Sequence, residues 1–204
     1  MTLAAFQSAL AELVAEARDG SGRDDLAAVE RQRLAALADD RGVATMRMLY
    51  MSWRLTKVLS LLPLSLRVLG DERTAALLRA FWAIRKATSL HFVEECLEFA
   101  AFLHARVQDK PQHFAAILDF ETARLQLRMQ QSLGLRPAAQ RVVFDAEPAA
   151  LFAAVQDGSD LSSVPPCDAV LRGELDADGR ERWTIEGGGS VLEAPSGTAT
   201  SAAY

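Results

Sequence analysis

The sequence predicts an α+β protein with an N-terminal all-helical domain of about six helices, followed by a small antiparallel β-rich C-terminal domain with one short helix. From Met1 to about Leu135, apolar residues recur at intervals of three and four, the spacing of amphipathic helices. After Pro137 short segments alternate polar and apolar residues and contain β-branched side chains, which is typical of strands. The predicted domains are therefore 1–135 and 138–187. Residues 188–204 are rich in Gly, Ser, Thr and Ala and are predicted to form a flexible tail.

Glycine, proline and capping side chains mark where the predicted helices begin and end. The pattern predicts six helices and one short helical turn (64–69), and in chain order these segments run over about 3–17, 24–37, 45–60, 64–69, 71–84, 89–106 and 111–133. In the third segment, Met48, Leu49 and Trp53 follow the helical spacing. Apolar residues at this spacing most often face a core, so Trp53 is predicted to be a core residue, as is Trp82 in the fifth segment.

The strongest local signal is a β-hairpin near the C-terminus. Segments 168–176 and 180–187 each alternate, and Ala177-Asp178-Gly179 lies between them. Asp-Gly is a favoured pair in hairpin turns. Because a two-stranded hairpin is only marginally stable alone, either Arg141–Phe144 or another chain is expected to add a strand. Trp183 lies in the second of these segments and is expected either to pack on the helical domain or to line a groove.

Composition and charge restrict the function classes. The net charge is −5 and the pI is about 5.3, the opposite of the balance that a nucleic-acid binder usually shows. The two cysteines, Cys96 and Cys167, form no CxxC pair. The N-terminus lacks a basic region, and the most apolar stretch, 58–66, is too short to cross a bilayer. A cytoplasmic protein without a membrane anchor is therefore expected.

One stretch, 89–106, concentrates His, Cys and Glu. Its residues His91, Glu94, Glu95 and Glu98 are spaced so that they share one helical face, while Cys96 falls among the apolar positions. A carboxylate-bridged metal centre would need a second ligand set on another helix, and the sequence offers none. We interpret the face as a solvated acidic surface for a partner. A stand-alone metalloenzyme that uses these four residues remains an alternative.

A second alternative comes from the one basic run of the chain. Arg124 and Arg128 align on one helical face, and Arg136 and Arg141 continue the run beyond it. A DNA-binding transcriptional regulator would use these side chains to contact phosphates. The negative net charge argues against this function, and nucleic acid is not expected as a partner.

Three apolar and turn patterns resemble a known family. They are ATMRMLYMSWRLTKVLSLLPLSLRVLG at 44–70 with DERTAALLRAFW directly after it, the SL…FAAFL pattern at 89–103, and FAAILDFETARLQL at 114–127. Together they resemble the helical domain of the MbnC-type small subunits of methanobactin biosynthesis, within a family formerly described as DNA-binding. Related proteins often carry Tyr-Arg-x-Asn in the third helix, where this chain has Tyr50-Met51-Ser52-Trp53.

The resemblance implies a division of labour between two subunits. A TIM-barrel partner would carry a multinuclear iron centre and convert cysteine to an oxazolone with an adjacent thioamide. This chain would hold no cofactor and would not be an enzyme on its own. Its part would be to bind that partner and the leader of a Cys-containing, ribosomally made precursor peptide.

A sheet edge suits such a peptide, because an extended segment can add to it as a further strand. The peptide is expected beside 141–144 or beside 170–174. The candidate peptide-binding residues are Arg141, Val142, Val143, Phe144, Val170, Leu171, Arg172, Glu174 and Trp183. The candidate partner surface is His91, Glu94, Glu95 and Glu98, and no catalytic or metal-binding residue is assigned.

Overall fold

The computed structural model describes residues 3–16, 22–85, 92–107, 109–135, 137–187 and 191–192. Within these ranges the chain forms eight α-helices and one four-stranded antiparallel sheet, which confirms the predicted α+β class. The helices are α1 (Leu3–Glu16), α2 (Ala28–Ala38), α3 (Arg41–Leu61), α4 (Pro63–Leu69), α5 (Asp71–Ile84), α6 (Phe92–Arg106), α7 (Phe114–Ser132) and α8 (Pro148–Asp157). The strands are β1 (Gln140–Ala146), β2 (Pro166–Leu175), β3 (Glu181–Ile185) and β4 (Val191–Leu192). The predicted tail lies almost wholly outside the described residues.

Capping side chains account for several of the element ends. The backbone N–H groups of Gly42 and Val43 donate to Oδ1 of Asp40, so α3 begins earlier than the sequence pattern predicts. In the hairpin turn, Oδ1 of Asp176 accepts the N–H groups of Asp178 and Arg180, both at 2.9 Å. The chain therefore reverses between β2 and β3 at the predicted place.

The chain divides into two compact units, at positions other than the predicted domain boundary. One unit comprises Met1–Lys57 with Ile84–Ser89, and the other comprises Val58–Ala83 with Leu90–Tyr204. The first has a small core in which α1 and α2 contribute the buried side chains Ala9, Leu13 and Leu34, together with Leu26 before α2. The second unit contains both the helices α4 to α7 and the sheet.

Helix α7 joins the helices and the sheet of the second unit because it buries side chains on two faces. Phe120 belongs to the core that α7 shares with the sheet and α8. Leu118 and Leu125 belong to a second core, which α7 shares with α5 and α6. The boundary predicted between 135 and 138 therefore falls within one compact unit, since the sheet closes over an apolar face of α7.

The strand order is β1-β2-β3-β4, with every neighbouring pair antiparallel. One sheet face is buried against α7 and α8, and it carries Val142 and Phe144 of β1, Leu171 of β2 and Trp183 of β3. The opposite face, the open face, carries the alternate residues of the same strands. Trp183 packs on the helices, in agreement with one of its two predicted positions, and its ring lies 4.7 Å from that of Phe120.

Candidate interaction surfaces

The middle of the sheet is closed to an added strand. Val170–Gly173 of β2 pairs with β1 on one side, and Leu171–Leu175 pairs with β3 on the other. The prediction of an open edge along 170–174 is therefore wrong, because β1 occupies the position at which a peptide would bind. Leu171 is fully buried, and Trp183 of β3 is also buried beneath the sheet. Arg172 and Glu174 point to the open face and are exposed.

Of the two predicted peptide-binding edges, the outer edge of β1 remains a candidate. The amide of Glu186 donates to the carbonyl of Val170 at 2.9 Å, so Val170 forms its ladder bonds toward β3. Successive residues of an antiparallel strand bond to alternate sides. Ala169 and Leu171 therefore bond toward β1, where they pair with Phe144 and Val142.

The same alternation turns the intervening residues of β1 outward. Arg141 and Val143 direct their backbone N–H and C=O groups away from β2, where no other described strand pairs with them. Their side chains lie on the open face, and Val143 is 69% exposed. This free edge of β1, the backbone of Arg141 and Val143, is the surface on which an extended segment could pair.

Charged groups surround the free edge. The guanidinium group of Arg141 donates two hydrogen bonds to the carboxylate of Glu186, at 2.6 and 2.9 Å. Next to Val143 in the other direction, Oδ1 of Asp145 lies 2.7 Å from Nδ1 of His113. The open face thus offers an apolar position at Val143 between the charged side chains of Arg141 and Asp145.

Only part of the acidic surface predicted on α6 is exposed. Glu95 is 4% exposed, and its Oε1 accepts the indole N–H of Trp82 at 3.0 Å, so its carboxylate faces the protein interior. Glu94 is exposed and Glu98 is half-buried. His91 lies outside the described residues. Only Glu94 is therefore a fully exposed member of the predicted surface within the described part of the chain.

Cys96 lies in the core, as its position among the apolar residues of α6 predicts. Burial raises the pKa of its thiol to about 12, and the neighbouring Glu95 adds to this effect. The thiol is therefore uncharged at neutral pH.

The basic run on α7 is largely engaged within the protein. Nε of Arg124 and Nε of Arg128 each lie within hydrogen-bond distance of Glu181 on β3. Burial alone would raise the pKa of Glu181, but the two guanidinium groups outweigh it and hold the pKa below its usual value. This pairing connects α7 to the hairpin and reduces the charge available for phosphate contacts, which weakens the support for a DNA-binding function.

An exposed apolar surface that the sequence reasoning did not identify lies on α3. Every exposed residue from Ala44 to Leu59 is uncharged, and several are large and apolar. They include Met46 (56% exposed), Met48 (64%), Leu49 (56%), Leu55 (38%) and Leu59 (44%). Trp53 is 39% exposed, so its predicted core position is wrong. We call this the outward face of α3.

The charged residues of α3 beyond its first residue occupy the opposite side. Arg54 is 3% exposed, Arg47 and Lys57 are half-buried, and Nη2 of Arg47 donates to the carbonyl of Leu13 at 2.9 Å. Arg54 follows Arg47 by seven positions and Lys57 follows Arg47 by ten positions, and this spacing places the three side chains on one helical face. That spacing was a sequence signal that the charged side of α3 faces the protein and its apolar side faces solvent.

In the part of the chain that the structure describes, no three His, Cys, Asp or Glu side chains come together in a way that could hold a metal ion. None of the described helices is long and apolar enough to cross a membrane. No family model matches this chain, and no curated protein matches its sequence.

Proposed function

We propose that this chain is a non-catalytic binding subunit of an iron-dependent peptide-modifying oxygenase. It binds the leader of a ribosomally made, Cys-containing precursor peptide and the TIM-barrel subunit that carries the iron. The partner performs the oxidation of cysteine to an oxazolone and thioamide. The resemblance of residues 44–127 to the MbnC-type subunits supports the pairing with such an enzyme.

The free edge of β1 is the observation that carries the peptide-binding part of this proposal. A leader that adopts an extended conformation beside Arg141 and Val143 gains main-chain hydrogen bonds from groups with which no strand in the described part of the chain pairs. The exposed side chain of Val143 offers an apolar contact to a leader residue on the same face. The charged side chains of Arg141 and Asp145 on either side favour leader residues of complementary charge at the flanking positions.

Co-expression tests the proposal as a whole. The tagged chain is produced together with the products of the genes that flank its own, among which we expect an iron-oxygenase-like protein and a short Cys-containing peptide. We expect the three to co-purify, with iron in the partner. A chain that elutes separately from the iron protein on gel filtration would contradict the proposal.

Val143→Pro tests the binding edge. Proline removes the outward N–H of residue 143 and leaves the ladder bonds of Val142 and Phe144 to β2 intact, so the fold is retained. We expect at least a tenfold loss of affinity for a fluorescent synthetic leader, measured by anisotropy. Val143→Ala keeps the N–H and is the matched control, with affinity reduced by less than the proline variant.

Two readouts keep the edge test interpretable. Urea unfolding of Val143→Pro should give a transition similar to that of the unmodified chain, because the outward amide has no ladder partner among the described strands. Leader binding that survives Val143→Pro would place the peptide site elsewhere, even if the complex with the iron protein forms.

A further inference from the structure

The free edge of β1 is short, and both of its ends are fixed by the fold. Arg141 and Val143 direct their N–H and C=O groups away from β2, and no other strand in the described part of the chain pairs with them. The strand begins at Gln140. The pairing register with β2 shifts after Phe144, so the regular alternation ends at Asp145. A docked peptide therefore finds regular strand pairing at Arg141 and Val143.

The outward groups of this edge suit a peptide that runs antiparallel to β1. In an antiparallel ladder, two opposite residues can exchange both of their main-chain bonds. One peptide residue opposite Arg141 and one opposite Val143 then satisfy every outward group of the edge. In a parallel ladder the bonds are slanted, and the pairing is slightly less stable per residue. On an edge this short, we therefore expect the antiparallel direction, which every pair of neighbouring strands in this sheet already has.

The guanidinium group of Arg141 keeps a donor for a docked peptide. Its Nε and Nη2 donate to the carboxylate of Glu186, and Nη1 takes no part in that pair. The side chain is 66% exposed and lies on the open face. The Cβ atoms of directly opposite residues in an antiparallel pair lie about 4.5–5.5 Å apart, and opposite charges at such positions attract. An acidic peptide residue opposite Arg141 is therefore favoured.

The carboxylate of Asp145 presents the opposite charge at the other end of the edge. Its Oδ1 lies 2.7 Å from Nδ1 of His113, and Oδ2 takes no part in that contact. The side chain of Asp145 is 70% exposed. Val143 lies between the two charges and is 69% exposed. The edge is therefore complemented by a basic peptide residue beside Asp145 and an apolar one opposite Val143.

We propose that the leader docks antiparallel to β1 through a basic, an apolar and an acidic residue, which follow one another in this order from its N-terminal side and are separated by single residues. Antiparallel pairing fixes the order, because the peptide residue beside Asp145 then comes first and the one opposite Arg141 comes last. The residues between them direct their side chains to the other side of the sheet. This inference rests on the proposed function, since it names the kind of leader segment that the free edge selects.

Two synthetic peptides of identical composition test the order. One contains Lys-Thr-Val-Thr-Glu and the other Glu-Thr-Val-Thr-Lys, each with capped termini and the same neutral flanking residues. NMR titration of the isotopically labelled full chain gives both affinities and shows whether the amides of Arg141 and Val143 respond. We expect the Lys-first peptide to bind at least about threefold more tightly, because the Glu-first peptide can match the two charges only in the less stable parallel direction.

Two double variants show whether the charges at the edge cause this preference. Arg141→Gln with Asp145→Asn removes both charges and keeps polar side chains, so the two peptides should bind with equal affinity. Arg182→Gln with Asp178→Asn is the matched control, because it also removes one cation and one anion at exposed positions, which lie in the β2–β3 hairpin. The control should keep the preference of the unmodified chain. Circular dichroism confirms that both variants are folded.

Three results would overturn the proposal. The first is equal affinity for the two peptides or tighter binding of the Glu-first peptide, and the second is a preference that survives Arg141→Gln with Asp145→Asn. The third is that neither peptide shifts the amides of Arg141 and Val143. Co-expression separates this inference from the proposed function. Capture of an iron protein without a peptide preference would refute the inference alone, whereas the preference without such capture would refute the proposed function alone.

Discussion

At the residue scale, position 173 requires glycine because the indole ring of Trp183 lies directly over its α-carbon. A Cβ at this position would be 2.5–2.6 Å from three carbon atoms of that ring. Trp183 is fully buried and packs on Phe120, so a shift of the ring would disturb that packing. The absence of a side chain on β2 thus makes room for the largest side chain of β3.

Gly173→Ala should therefore destabilise the protein. We expect a loss of about 1–3 kcal/mol in the free energy of unfolding, the usual cost of overpacking a core. Urea denaturation followed by tryptophan fluorescence measures it. Gly22→Ala is the control, since a Cβ at position 22 meets no atom within 4 Å. Equal stability of the two variants would show that Trp183 can move.

At the element scale, the N-terminus of α4 is capped from another helix. Glu121 of α7 is 1% exposed, and its two carboxylate oxygens accept the backbone N–H groups of Leu64 and Ser65 at 2.7 and 2.9 Å. These N–H groups have no partner within α4, because they belong to its first turn. A residue 56 positions away in sequence thus completes this helix.

Burial raises the pKa of Glu121 to about 7, although the hydrogen bonds from Ser65 and Leu64 act in the opposite direction. The folded chain then holds a proton that the unfolded chain releases above about pH 4.5. The contribution of Glu121 to stability is therefore complete below pH 4.5 and falls as the pH rises to about 7, by about 3 kcal/mol in all.

Glu121→Gln removes this titration. We expect the stability difference between the unmodified chain and the variant to shrink as the pH rises from 5 to 7, in urea unfolding at fixed ionic strength. Glu94→Gln, at an exposed position of α6, should follow the unmodified chain at every pH. A difference that grows with pH would mean that the capping hydrogen bonds outweigh burial and keep Glu121 ionised.

At the scale of the whole molecule, the sheet and the helices of the second unit form one folding entity. The ring of Phe120 on α7 lies 6.3 Å from that of Phe144, 4.6 Å from that of Phe152 and 4.7 Å from that of Trp183. These three rings lie beyond residue 135. The helices before residue 135 therefore lack part of their core when the sheet is removed.

A chain that ends at residue 135 should not unfold cooperatively. Each large aromatic side chain lost from a core costs about 3–5 kcal/mol, so the loss of three approaches or exceeds the ~5–15 kcal/mol that stabilises a typical domain. Thermal unfolding followed by circular dichroism at 222 nm measures this. A chain that ends at residue 187 keeps all three rings and should unfold cooperatively. A cooperative transition for the shorter chain would restore the predicted domain boundary.

The local features of this protein could be predicted from its sequence because they depend on neighbouring residues. The spacing of apolar residues predicted the helices, the Asp-Gly turn predicted the hairpin, and the position of Cys96 among apolar residues predicted that it is a core residue. The segment 141–144 was predicted as one of two sources for a third strand, and it forms β1. Each of these inferences needs only the geometry of a single element.

Only the tertiary structure decided which surfaces are free. The period of α3 is helical whichever side faces inward, so periodicity alone could not show that Trp53 is 39% exposed while Arg54 is 3% exposed. Glu95 has the sequence context of a surface residue, yet Trp82 binds it from another helix. Likewise, strand order placed β2 between β1 and β3 and left one edge of β1 without a neighbour among the described strands. Burial and pairing depend on contacts between residues far apart in the chain, and these exist only once the elements pack together.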